Sequence, residues 1–349
     1  MRLKNFHLAE RMHYYKVPGV SITLIDQGQI SACINQGVLE VGSRRAINEK
    51  SLFNACSISK FLTGMLVIKL VQQGDLDLDE NVNEKLISWN IPENDFTNLK
   101  RVTLRNLLSH QSGIVDPINS FPEHVASNGT PTMVELLEGK TPYNNCPIEV
   151  TYEPESEFHY SDASYCIIQQ VIEDSMKKSF IQVMTEHIFT PLEMENSNYA
   201  MTAASMSEEN ISCGHNKNGE VVNEKYPLYP YPAASGLWTT SENIAKLVQE
   251  LMNALKGESK TGISARGAKE LISSQGRKKW AGLGVFLEES ENQLEISSLG
   301  WGVGFQCMMV AYPYLEKGAV IMTNAELGVH QLEGIIGEIY DSLLSQMKG

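Results

Sequence analysis

Phe53-Asn54-Ala55-Cys56-Ser57-Ile58-Ser59-Lys60-Phe61-Leu62-Thr63-Gly64-Met65-Leu66-Val67-Ile68-Lys69-Leu70-Val71 starts polar and then turns apolar on nearly every side of a helical wheel. Ile58, Phe61, Leu62, Met65, Leu66, Ile68, Leu70 and Val71 leave no polar stripe for solvent, and Gly74 follows as a stop, so the spacing predicts a helix buried at the centre of the molecule. Lys60 breaks this pattern. Removal from water disfavours an ammonium ion and lowers its pKa toward that of a usable base, so a lysine at the start of such a helix calls for a chemical reason. Ser57, three residues earlier, falls on the same helical face, close enough for the amine to take its hydroxyl proton. Backbone N–H groups of the first turn, which lack intrahelical acceptors, are placed there to stabilise an oxyanion. The plain alternative makes Ser57 an N-cap and Lys60 a side chain that snorkels to water.

The Ser-x-x-Lys spacing recurs at Ser175–Lys178 and Ser345–Lys348. Ser175 sits in the charged cluster Glu173-Asp174-Ser175-Met176-Lys177-Lys178, a helix end that water would solvate, and Ser345 lies where a terminal helix should fray. Only the Ser57–Lys60 pair has an apolar setting.

Outward from this helix, Val20, Ile22 and Leu24 alternate with Ser21 and Thr23, the period of a half-buried strand, and Asp26-Gln27-Gly28 turns the chain into a hairpin. Six of the 13 prolines fall between Pro117 and Pro154, which predicts an irregular wall able to line a cleft. Helical periodicity resumes over Ala163–Asp174 and Phe180–Ile188. It returns at Ile244, Leu247, Val248 and Leu251, with Ser241 as N-cap. Strand-like runs cluster late, at Gly282–Leu287, Phe305–Ala311 and Ala319–Thr323, before a helix carrying Leu332, Ile335, Ile336, Ile339 and Leu343 at core spacing. Strands at both ends with helices between them predict an α/β (α+β) architecture. An antiparallel sheet flanked by helices is built from residues 1–75 and 230–349, and a mostly helical lobe over 76–229 completes a single discontinuous catalytic unit.

The 349 residues are 42% apolar, enough for a sizeable core. Lys and Arg total 28 against 42 Asp and Glu, and the resulting net charge of −14 repels phosphate backbones, so no nucleic-acid partner is expected. No run approaches the roughly 18 apolar residues of a membrane span, and Met1 to Lys16 lack the apolar stretch of a secretory signal. Cys33, Cys56, Cys146, Cys166, Cys213 and Cys307 are scattered, without a C-x-x-C pair, which suggests neither a zinc ribbon nor a disulfide framework. A cytoplasmic protein with free thiols is expected.

The wording around Ser57 resembles the serine β-lactamase and penicillin-binding-protein superfamily, in particular its class C-like esterase and D-peptidase branch. Matches in the family's order carry the resemblance over nearly the whole chain. Phe53 to Lys60 is followed by Gly74-Asp75-Leu76-Asp77-Leu78-Asp79; then come Val102 to Gly113 (Val-Thr-Leu-Arg-Asn-Leu-Leu-Ser-His-Gln-Ser-Gly), Tyr160-Ser161-Asp162, Pro191-Leu192-Glu193-Met194 and Gly282-Leu283-Gly284. The resemblance implies that Ser57 is the nucleophile and that Tyr160, which opens the family's Tyr-x-Asn motif, shares the proton traffic with Lys60. A phenol near pKa 10 serves as a base at neutral pH only where a neighbouring ammonium favours its anion, and Lys60 can supply that charge.

Two positions depart from the family pattern. Asp162 stands where Asn is usual; an ionised Asp only accepts hydrogen bonds, so it can pair with Lys60 and hold it charged, which favours Tyr160 as the proton acceptor, and it can equally cap the helix beginning near Ala163, two roles that are compatible. Ser298 stands where the third motif, Lys/His-x-Gly, has its cation. In relatives that cleave β-lactams or D-Ala-D-Ala ends that cation helps to hold the substrate carboxylate. Its loss points to ester, amide or amino-terminal peptide substrates. Gly300 is retained, which lets backbone approach a ligand closely, and the N–H of Trp301 is then the second oxyanion donor that the resemblance implies beside that of Ser57.

Other chemistries do not fit. The eight histidines form no His-Glu-x-x-His and no close pair, so no metal is expected. Glu80 and Leu86 defeat a calcium loop at Asp75-x-Asp77-x-Asp79, and Arg266 defeats a nucleophile elbow at Gly262-Ile263-Ser264-Ala265. His110 lies in a motif whose family role is structural. The expectation is a cofactor-free serine hydrolase that acts through an acyl-enzyme on a small-molecule or peptide substrate. Acyl transfer to an amine or alcohol, as in a biosynthetic cyclising enzyme, and a non-catalytic binding protein on the same fold stand as alternatives.

Overall fold

Gln27 (φ 53°) and Gly28 (φ 68°) both take the left-handed backbone conformation that a type I′ turn requires, and they join β1 (Gly19–Asp26) to β2 (Gln29–Gly37). The computed structural model describes residues 1–3, 6–199, 209–290 and 293–348. Beyond the first hairpin, β3 (Phe53–Asn54) pairs with β4 (Trp238–Thr239) as a small separate ribbon. The main sheet is completed by β5 (Phe286–Ser290), β6 (Gln293–Gly302), β7 (Phe305–Tyr312) and β8 (Lys317–Thr323). Its order is β2-β1-β8-β7-β6-β5, antiparallel at every step, so β1 from near the start of the chain pairs with β8 from near its end.

In chain order the helices are α1 (Leu8–Tyr15), α2 (Ser59–Gln73), α3 (Asp95–Leu99), α4 (Leu104–Leu108), α5 (Met133–Leu137) and α6 (Asp162–Met176). There follow α7 (Phe180–Met184), α8 (Pro232–Ser235), α9 (Ser241–Lys256), α10 (Ala265–Leu271) and α11 (Ile335–Lys348). Strand alternation sorts the sheet into two apolar faces. Val20, Ile22, Leu24, Met308, Val310, Ala319 and Ile321 face α1 and α11, meeting Leu8, Met12, Ile335, Ile336 and Ile339. Cys307, Met309, Ala311, Val320 and Met322 face the other way, into a core that continues without a break through α2, α9 and the helical lobe.

α2 occupies the centre of that core. Nearly every residue from Ser59 to Leu70 is buried, and the helix ends where Gly74 turns left-handed (φ 86°) with cap N–H groups reaching Leu70 O and Val71 O.

Two local expectations differ from the structure. Gly282–Val285 is not strand; only from Phe286 does the chain join the sheet. Gly284 (φ 83°) instead curls against α2, where an added Cβ would lie 2.5 Å from Lys60 O, so the run is a turn pressed onto the helix. The N-cap of α9 is Thr240, whose side chain accepts from Asn243 N–H, because the Ser241 hydroxyl is engaged at 2.8 Å by both Ser21 and Thr23 of β1. Among the described residues no helix is long and apolar enough to cross a membrane, and no group of three or more His, Cys, Asp or Glu is arranged to hold a metal ion. All six cysteines are free thiols.

Candidate active site

The Ser57 turn is built by the residues just before it. Asn54 donates through its amide to Pro227 O (2.9 Å) and accepts from Cys56 N–H (2.8 Å), and this holds Cys56 at φ 48°, a conformation disfavoured for any residue with a Cβ. The chain thereby leaves β3 and enters the 3₁₀ turn Cys56–Ile58, with Ser57 half-exposed at its apex and α2 continuing below.

Lys60 lies one turn further, buried to 2% exposure. Its three ammonium protons have three acceptors: Asp162 Oδ1 at 2.6 Å, Ala234 O at 3.0 Å and Ser57 Oγ at 3.2 Å. Burial works to lower the Lys60 pKa, but the charges and hydrogen bonds of Asp162 and Tyr160 outweigh it, and the net displacement is upward. The amine is therefore held as an ammonium, the outcome expected of an Asp162–Lys60 pair and not of an apolar helix acting alone. Asp162 makes the difference. It opens α6, while the capping role falls to its neighbour Ser161, whose Oγ accepts from Ser164 N–H at 3.0 Å.

Tyr160 is brought to the same point. The Lys60 Nζ stands 4.9 Å from the centre of its ring, and Lys60 and Ser57 both act on the phenol to favour its anion. Its ring keeps 42% exposure along the cleft. Burial of the phenol raises its pKa, the Lys60 charge pulls it down, Asp162 raises it again, and the balance is upward. Because Ser57 Oγ accepts from Lys60, its own hydroxyl proton is free to be given to another acceptor.

Asp116, partly buried beneath the start of α6, accepts from Ser161 Oγ (2.7 Å), Asp162 N–H (2.8 Å) and Ala163 N–H (3.0 Å). Burial and the nearby Asp162 charge push its carboxyl up. This anchor was not apparent in the sequence: Asp116 begins the proline-rich stretch and looks like any turn residue.

Ser57 opens onto two cavities. The first, a narrow cavity of about 20 Å³, is walled by Phe158, Tyr160, Phe286, Leu299 and the buried Ser298. The second, of about 280 Å³, is lined by Glu123, Asp162, Tyr229, Ser235, Trp301 and Glu326. Lys60 is the one Lys or Arg that lines either cavity among the described residues, and Asp162 neutralises it. Ser298 thus stands beside Ser57 with no compensating cation nearby. Glu123 and Glu326 gave no signal in the sequence, since each is a lone acid in a loop.

The hairpin turn after β6 spans Val303 and Gly304 and makes Gly302–Phe305 a hydrogen-bonded pair; alternation then leaves the N–H of Trp301, opposite Gln306, pointing away from β7 toward the cleft. The Trp301 indole, 42% exposed, donates to Glu326 Oε1 at 3.3 Å on the cavity rim. Gly300 is required by the packing of the chain itself. A Cβ there would sit 2.4 Å from Ala55 O and 2.6 Å from Cys307 Sγ, so its bare backbone admits the Ser57 turn against the sheet.

With this geometry in place, likenesses to known proteins can be stated. The fold superimposes on the octameric penicillin-binding protein homologue from Pyrococcus abyssi with a TM-score of 0.77 at 20% identity, covering 99% of this chain and 76% of that one. It superimposes equally on the D-amino acid amidase from Ochrobactrum anthropi SV3 complexed with L-phenylalanine amide, with a TM-score of 0.77 at 20% identity, covering 98% and 96%. Among curated proteins it is similar to Protein flp of Staphylococcus aureus (strain MW2), 23% identical over 238 residues, 68% of this chain and 46% of the relative. The chain spans about half the length of the curated relatives that it matches. A family model described as Beta-lactamase matches residues 7–334, and the chain belongs to the Beta-lactamase family.

Proposed function

We propose that this protein is a serine hydrolase that forms an acyl-enzyme at Ser57 and acts on ester, amide or peptide bonds. The observation that carries the reading is the convergence of Ser57 Oγ, the Lys60 ammonium at 3.2 Å and the Tyr160 phenol where two cavities meet. Tyr160, once ionised, takes the Ser57 proton as the hydroxyl attacks the substrate carbonyl, and the fixed Lys60 charge stabilises the phenolate. The N–H groups of Ser57 and Trp301 receive the oxyanion, a contribution worth about 10² to 10³ in rate per donor. Tyr160 then returns the proton to the leaving group, and water, activated by the same phenolate, releases the acyl group. The cycle needs no cofactor.

The cavity walls support a substrate class. A carboxylate near the scissile bond would meet Asp162, Glu123 and Glu326 and find no unpaired cation, whereas a neutral or amine-bearing group is accommodated. Ester, amide and amino-terminal peptide substrates are therefore favoured over those with a free carboxylate. The test is turnover of activated esters, D-amino-acid amides and a β-lactam by the wild type and by Ser57→Ala. Hydrolysis of uncharged esters or amides that is lost in the variant supports the reading. Equal turnover by both proteins, or none with any substrate, overturns it. An added amine or alcohol that captures the acyl group instead of water would make the protein an acyltransferase with the same intermediate.

A further inference from the structure

The segment that carries Tyr160 is gripped on both sides by one residue. His159 N–H donates to the backbone oxygen of His110 at 2.9 Å, and Ser161 N–H donates to the imidazole Nδ1 of the same residue at 3.1 Å. Between those two bonds the His110 ring stacks on the Tyr160 ring, centroids 4.3 Å apart at 28°. His110 is 5% exposed and is set against Tyr165 at 5.3 Å and Phe158 at 5.6 Å. Its own backbone is left-handed (φ 58°), as the chain leaves α4. We propose that His110 is a positioning residue that fixes the Tyr160 phenol over Ser57 and Lys60 through two backbone hydrogen bonds and a ring stack.

Each part of the clamp has a chemical requirement. An Nδ1 that accepts from Ser161 N–H must carry a lone pair, so the ring is neutral with its proton on Nε2. The groups packed around it hold it in that state: burial disfavours an imidazolium, the Lys60 ammonium repels one, and Tyr160, Tyr165 and Phe158 offer only ring faces or edges. Protonation would turn Nδ1 into a donor facing a donor. The two bonds hold the backbone on either side of Tyr160, and the stack covers one face of its ring. Asp116 continues the restraint into α6 through Asp162 and Ala163. Since effective proton transfer depends on placement to within a fraction of an ångström, loosening this clamp should act on the chemical step more than on substrate binding.

The inference rests on the acyl-enzyme reading, and two variants separate its parts. His110→Phe keeps the stack and loses the Nδ1 acceptor. His110→Asn keeps an acceptor and tolerates positive φ, but loses the stack. With an activated ester, each is expected to lower kcat by about 10- to 100-fold with KM within about twofold, and to move the alkaline limb of the pH–rate profile, while Ser57 still becomes acylated. Folded variants with kcat and pH profile within about twofold of wild type overturn the clamp, as does a loss confined to KM. Should either variant fail to fold, ¹⁵N NMR of the wild-type imidazole decides. The clamp requires a neutral ring with unprotonated Nδ1 throughout the active pH range, and an Nδ1–H tautomer or an imidazolium there overturns it. A wild type never acylated at Ser57 refutes the functional reading instead, and the NMR result is independent of that outcome.

Discussion

Lys60 Nζ and Asp162 Oδ1 lie 2.6 Å apart, with the lysine side chain 3% and the aspartate 22% exposed. This contact determines the resting protonation of the site. The Asp162 carboxylate holds Lys60 as an ammonium against its burial and also raises the Tyr160 phenol, so the active phenolate–ammonium pair is a minor species at neutral pH. The phenol sits above its ordinary value of about 10, and kcat/KM should therefore climb with pH through the alkaline range. A pH–rate profile with a maximum near neutrality and a fall above it contradicts this.

Asp162→Asn removes the charge that raises both groups. Burial then acts on Lys60 against Tyr160 alone and its pKa falls; Tyr160 loses one raising influence, so its ionisation moves down. The alkaline limb is expected to shift to lower pH, accompanied by a stability loss of about 3–5 kcal/mol from the broken buried pair. The pH dependence of ester hydrolysis, with urea unfolding alongside, measures both. A limb that stays in place shows that Asp162 does not set the protonation of the site.

Tyr160→Phe keeps the ring stacked on His110 and deletes only the proton carrier. A loss on the order of 10² to 10⁴ in kcat is expected if the phenol is the acid and base. Full activity in the variant would assign the proton transfer elsewhere.

How much of this was legible beforehand follows from the range of each interaction. α2 and the first hairpin were legible because periodicity and turn residues are local signals, as in Gln27-Gly28 and Gly74. The Ser57–Lys60 spacing was legible for the same reason, and Tyr160 entered through resemblance. The charge state of Lys60 was legible only as two competing influences, an apolar helix that favours the free base and Asp162, 102 positions away, that can hold the ammonium, because which of them wins depends on the distance between the two side chains. His110 was set aside since its contacts with His159 and Ser161 run through backbone groups that no side-chain pattern reveals. The close packing of Gly300 against Ala55 and Cys307 was not legible, because a sequence shows that a glycine admits close approach without showing which part of the chain approaches.

Stability should fall in mild acid. His110 and His215 both have pKa values displaced below 6.5, chiefly by burial, and His215 is fully paired as a neutral ring, with Nδ1 to Asn324 O at 2.7 Å and Val41 N–H to Nε2 at 3.1 Å. The unfolded chain binds protons near pH 6.5 that the folded chain refuses, so the stabilisation is present above about 6.5 and is lost as pH falls toward the folded values. Urea midpoints should drop between pH 7 and pH 5, with a shallower slope in His215→Asn. Midpoints that do not change over that range rule the linkage out.

Glu123→Gln and Glu326→Gln each remove one negative charge from the wider cavity. Both should raise KM for amine-bearing amides several-fold while leaving uncharged esters within about twofold. A matching change for both substrate types would mean that the acids shape the cavity without selecting by charge. Ser298→His, which restores a cation-capable side chain beside Ser57, should improve activity on carboxylate-bearing substrates.

The central claim is that Ser57 becomes covalently acylated. The most direct measurement is the mass of the protein quenched in acid during turnover of an activated ester, followed by mapping of the modified peptide. The account predicts one added acyl group on Ser57, absent from Ser57→Ala. Turnover with an unmodified mass, or an acyl group mapped to a different residue, contradicts it.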